Sequence, residues 1–173
     1  MSTPPASPDP WLRGPVEGIA ALLQPVAHAL IAAGEDIERA ATGLAPEELW
    51  ARPADVASVG FHIAHLAGST DRLLTYGRGE ALSESQRASL IRERGVGEAR
   101  PPLEDLLTAL RETIHRGLEQ LAVTDIATLP EPRAVGRAAS STVLGLMFHA
   151  ADHAARHAGQ VVTTAKVVRG GGR

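Results

Sequence analysis

Five of the seven histidines fall in two clusters, His62 and His65 in GFHIAHLAG, and His149, His153 and His157 in HAADHAARHAGQ. On an α-helix, residues four apart are neighbours on one face, with Cβ atoms roughly 6 Å apart. Two imidazoles at that spacing can grip one divalent metal, as H-x-x-x-H does in zinc proteases. A third ligand from the other cluster would leave a coordination position open. Three histidines with an open position make a catalytic rather than a structural site.

His149 and His157 cannot share an ion, because eight residues of helix span about 12 Å. The metal pair is therefore His149/His153 or His153/His157, and His153 belongs to both. The plainer reading is a set of surface residues on an Ala-rich helix. Leu144, Leu146, Met147, Val161 and Val162 flank the cluster, however, so this helix must bury a face, and buried imidazoles need partners. Gln160, one turn past His157, is a candidate for orienting a ligand or water, with an ordinary polar residue as the alternative. His62 and His65 are three apart; one of them reaches the metal and the other supports it or faces solvent.

His28 and His115 are isolated and read as structural. Glu112-Thr113-Ile114-His115 matches the Glu-x-x-His of di-iron bundles, but that architecture needs a second copy and two more glutamates, and only one copy is present. A metal-bound water would call for a carboxylate base. Asp71 and Asp152 are not cofacial with His65 and His153, which leaves Glu35, Asp36 or Glu38 from the first helical segment. Arg133 and Arg137 can reach a ligand carboxylate, a solvated loop being the simpler reading.

Four long helical segments must hold these residues. The first spans about Pro15 to Thr42, with Leu23, Val26, Leu30, Ile31, Ile37 and Ala41 at helical spacing. Pro25 either kinks it or marks where its main body begins. The second runs from about Val59 to Tyr76, capped by Ser58 and stopped by Gly77 and Gly79. A short helix at Glu84–Arg94 follows, with Ser83 and Gln86 spaced as a capping box. The third starts near Pro102, with Glu104 and Asp105 at the positive end of its dipole. After a loop over 124–140, the fourth runs from about Thr142 to Val168, capped by Ser141. No segment alternates as a strand does. The expectation is an all-α, antiparallel four-helix bundle, with the segment between helices two and three bridging one end.

Composition agrees. At 173 residues the chain suits one domain, and its 44% hydrophobic content is mostly Ala, Leu and Val with only 3% aromatic residues, which favours close-packed helices over a sandwich. The net charge of −3 is spread along the chain and no basic stripe invites nucleic acid. The absence of cysteine excludes disulfides, Cys zinc sites and Cys nucleophiles. No secretory signal or membrane-length apolar run is visible, so a cytoplasmic protein without membrane partners is expected. Residues 1–13 read as a loose Pro/Ser-rich segment, 14–168 as the folded domain and 169–173 as a frayed tail.

The run SVGFHIAHLAGSTDRLLTY, followed in the fourth helix by HAADHAARHAGQ, resembles the DinB/YfiT-like metalloenzyme superfamily, and ELWARP at Glu48–Pro53 fits the same group. The resemblance covers about residues 15 to 168. It implies a DinB-like four-helix bundle with an unusual connection order, often dimeric. It also implies one divalent metal, nickel, zinc or manganese, between helices two and four. By motif its ligands fall on His65, His153 and His157, with Ala158 standing where the family commonly has Arg. His62, His149 and Gln160 stay outside the ligand set.

Family members of assigned activity mostly transfer low-molecular-weight thiols such as bacillithiol, mycothiol or glutathione to electrophiles, or isomerise maleylpyruvate with a thiol cofactor. The expectation is therefore a metal-dependent thiol S-transferase acting in detoxification, whose partners would be a small-molecule thiol, an electrophile and a second copy of the chain. A metal-dependent hydrolase and a non-catalytic metal-binding dimer are the alternatives.

Overall fold

The computed structural model describes residues 8–93, 99–137 and 139–170. Its helices are α1 (Gln24–Ala41), a single turn α2 (Pro46–Leu49), α3 (Val59–Gly77), α4 (Glu84–Glu93), α5 (Leu103–Val123) and α6 (Val143–Gly170). The protein is all-α apart from one hairpin. The main body of helix one begins at Gln24, with Pro25 in the first turn, where its missing N–H costs nothing. Ser58 caps α3 by accepting from the Phe61 N–H at 3.2 Å. Ser83 and Gln86 form the reciprocal capping box at the start of α4. Pro102 precedes α5 by one residue instead of opening it.

The four long helices are not all antiparallel to their neighbours. Pairs Glu38–Arg111 and Gly34–Ile114 run in opposite senses along α1 and α5. His62–His157 and His65–His153 do the same along α3 and α6. Asp71–Arg116 and Leu74–Gln120, by contrast, advance together along α3 and α5. Arg169, at the C-terminal end of α6, donates to the carbonyls of Ala40 and Thr42 at the C-terminal end of α1. The senses are thus up, down, down and up for α1, α3, α5 and α6. The segment expected to bridge one end runs back along the bundle instead. In α4, Gln86 meets Asp71 and Thr75 of α3 while Glu93 meets Arg72 and His65, so α4 ascends beside α3, antiparallel to it, and returns the chain to the end from which α5 starts parallel to α3.

The loop expected over 124–140 also holds structure. Pro132–Val135 pairs antiparallel with Ala139–Thr142. Four-residue strands with an exposed face carry too little alternation to be read from sequence. The strand takes up Ser141, and Thr142 caps α6 instead, accepting from the Gly145 N–H at 3.0 Å. Arg133 ties the hairpin to the end of α3 by donating to the Gly77 carbonyl at 3.1 Å.

Of the segment expected to be loose, residues 1–7 lie outside the described residues. Pro10–Leu12 forms a 3-10 turn held to α1 by the Arg13–Glu35 ion pair. At the other end α6 continues through Gly170, and residues 171–173 lie outside the description. No helix among the described residues is long and apolar enough to cross a membrane.

The core joins Leu23, Val26, Leu30 and Ile37 of the α1 region to Ile63 and Leu66 of α3, Leu110 and Leu121 of α5, and Met147 and Val161 of α6. The ELWARP run supports the site from below: the Trp50 ring lies against Gly60 so closely that a Cβ there would meet ring carbons at 2.7–2.8 Å. Gly60 therefore lets the first turn of α3 seat on Trp50, which fixes where His62 and His65 emerge.

Candidate metal centre

Ligand atoms of His65, His153 and His157 all lie within 4.8 Å of one another. Ring centroids are 4.4 Å apart for His153 and His157, 4.8 Å for His65 and His157, and 5.2 Å for His65 and His153. Nitrogens on one tetrahedral zinc sit about 3.3 Å apart, given metal–nitrogen distances near 2.0–2.1 Å. Small ring rotations therefore bring the three onto a single ion. All three are partly buried, with the His65 side chain 27% exposed, so the cluster keeps an approach from solvent.

Each ring is held from behind through Nδ1. His65 Nδ1 lies 3.2 Å from Glu93 Oε2. A carboxylate only accepts, so this nitrogen carries a proton, and the neutral ring would present its lone pair at Nε2. Ser69 Oγ donates its one hydrogen to the Leu66 carbonyl and lies 3.2 Å from His153 Nδ1. The hydroxyl then accepts from His153, whose Nε2 is likewise free. His157 Nδ1 lies 3.1 Å from His62 Nδ1, and one ring must donate to the other. Donation by His157 frees its Nε2 as well. A metal on three imidazoles requires a lone pair from each ring, and outer partners of this kind are what orient such ligands.

The electrostatics agree. Burial, with the neighbouring His65 and His149 rings, pushes His153 down to about 4. Burial, with His153 and His65 nearby, pushes His157 down to about 3. Burial also lowers His62, with His65 adding to it. His62, His153 and His157 are therefore neutral near pH 7, the form that ligates metal. The donor set fits a divalent ion, and three neutral ligands would leave its positive charge intact.

The other sequence candidates lie elsewhere. His62 is buried and supports His157, while His149 is exposed with its ring 5.8 Å from His153. Gln160 is exposed, and among the described residues no hydrogen bond ties it to the cluster. His28 bonds the Gly14 carbonyl, and His115, 73% exposed, faces Glu119. Glu112 lies 4.0 Å from Arg116, and among the described residues its Glu-x-x-His run joins no group that could hold a metal.

The carboxylates considered as bases are engaged elsewhere: Glu35 with Arg13, Asp36 with Arg39, Glu38 with Arg111, Asp152 with Arg156, and Asp71 with Gln86 and Arg116. Arg133 is spent on the Gly77 carbonyl, Pro132 and Glu131. Arg137 lines a cleft of about 680 Å³ with Tyr76 and Arg87. Tyr76 is eleven residues beyond His65 on α3, about 16 Å along the helix axis, so this arginine serves a different part of the molecule.

Sequence reasoning missed Ser69 and Glu93. Ser69 sits one turn past His65 and so shares its face. Glu93 is the last described residue of α4, and its partners Arg72 and His65 lie more than twenty residues away in sequence, so no local signal marked it.

An all-α protein with three converging histidines on two facing helices defines a class of candidate metal-binding helical proteins. The chain belongs to the DinB superfamily, whose family model matches residues 29–161. That match spans every histidine of the cluster. No curated protein matches the chain.

Proposed function

We propose that this protein is a divalent-metal-dependent thiol S-transferase, with His65, His153 and His157 as the metal ligands. The observation that carries the reading is the convergence of three imidazoles, each engaged at Nδ1. A divalent ion on three neutral ligands would stabilise a small thiol as its thiolate, the nucleophilic form. The chain has no cysteine, so the thiol must come from a small molecule. The protein's own part is to hold the three rings from their Nδ1 side, to keep His153 and His157 neutral by burial and to leave one side open for substrate. Membership of the DinB superfamily supports metal dependence. The hydrolase alternative is weakened because Glu35, Asp36, Glu38, Asp71 and Asp152 are all paired away from the histidines.

The test is to incubate metal-loaded protein with bacillithiol, mycothiol or glutathione and a fluorogenic electrophile. Conjugate formed by the wild type and lost in His153→Ala supports the reading. Tight metal binding with no conjugate from any of the three thiols overturns the transferase and leaves a non-catalytic metal protein.

A further inference from the structure

We infer that Glu93 is a positioning residue for the metal centre, delivered to it by the returning helix α4 and admitted by Gly68. The inference rests on the metal-dependent reading and deepens it.

Glu93 is buried at the end of α4, in contact with two residues of α3. Arg72 holds both carboxylate oxygens, Oε1 through Nη1 and Oε2 through Nη2 at 2.9 Å. The same Oε2 faces His65 Nδ1. Burial by itself would raise this carboxyl, but bonds from His65 and Arg72 outweigh it and hold the group below its ordinary range. The carboxylate is thus clamped by arginine and aimed at the edge of the imidazole opposite Nε2. It does not belong to the set of atoms that converge as ligands. Its effect on a metal therefore passes through His65: it sets the tautomer, fixes the ring plane and raises the basicity of Nε2.

Gly68 makes the arrangement possible. A Cβ at that position would collide with Glu93 Oε1 and come within 2.8 Å of Arg72 Nη1. Glycine inside a helix is ordinarily unfavourable. Here its lack of a side chain is the space that the ion pair occupies. Two departures from local preference, a helical glycine and a buried arginine, meet on the Glu93 carboxylate, and that carboxylate faces one imidazole nitrogen.

The experiment titrates full-length protein with Co²⁺, comparing wild type with Glu93→Gln and Gly68→Ala. Each variant is expected to bind about 10–100-fold more weakly and to shift the visible d–d bands. Arg72→Met with Glu93→Met, which removes both charges together, guards against misfolding caused by an unpaired arginine; it should weaken binding to the same extent. Independently of metal, ¹⁵N shifts of the His65 ring in the apo protein should report the Nδ1–H tautomer in wild type and a mixture in the double variant. Wild-type affinity, spectrum and tautomer in folded Glu93→Gln and in the double variant would overturn the inference while leaving the metal site standing. A wild type that binds no Co²⁺ overturns the metal reading and the inference with it.

Discussion

Helices α1 and α3 are nearly equal in length and both pack on α6, yet they bury different chemistry. The buried positions of α1 are all apolar: Val26, Ala27, Leu30, Ala33, Ile37 and Ala41. Those of α3 include His62, Ser69, Thr70, Arg72 and Thr75. Apolar burial on α1 stabilises the fold without leaving a group in need of a partner. On α3 the buried polar atoms need partners, and His62 and Ser69 find them at Nδ1 of His157 and His153 while Arg72 holds the Glu93 carboxylate behind His65. One contact surface of α6 thus serves stability and the other serves binding.

The largest expected effect breaks the stability side alone. Ile37 is fully buried, and Ile37→Ala should cost about 2–5 kcal/mol in denaturant unfolding. Metal stoichiometry should not change; its loss would show that the two surfaces are not separable.

Acid should act on the binding side. The folded values of about 4 for His153 and about 3 for His157 lie below the ordinary 6.5, so the unfolded chain takes up protons first as pH falls. Stability of the apo protein is therefore complete above about pH 6.5 and declines as pH drops toward 4. Chemical unfolding at stepped pH checks this. A flat profile in His153→Ala/His157→Ala beside a sloping wild type would assign the slope to these rings, whereas equal slopes would refute it.

A smaller change sharpens the comparison. Ser69→Ala removes the acceptor behind His153 and should weaken zinc binding about tenfold, measured by competition with a chromogenic chelator. Unchanged affinity would mean that the hydroxyl is only filling space. The smallest effect is expected at Asp152→Asn. Its pair with Arg156 is solvent-exposed, so stability should move by less than about 0.5 kcal/mol.

The histidine cluster was legible because helical spacing places His153 and His157 on one face, and the helix extents were legible from Ser58, Pro25 and the apolar stripes. The choice of 153/157 over 149/153 came from the family resemblance, since spacing treats both pairs alike. The parallel run of α3 and α5 was not legible, because loop length alone does not say whether a connection caps an end or returns along the bundle. Glu93 escaped notice for the same reason. Its role depends on the path of α4, and nothing local to residues 84–93 points toward His65. The hairpin that carries Arg133 was not legible because its strands are too short to show alternation.

The central claim is that three histidines on two helices hold one metal. It is tested most directly by metal content from mass spectrometry on tag-free protein, with wild type beside His65→Ala and His153→Ala. Near one equivalent in wild type, lost in both folded variants, is the predicted result. No bound metal in wild type after reconstitution with nickel, zinc or manganese, or full retention in both variants, would contradict it.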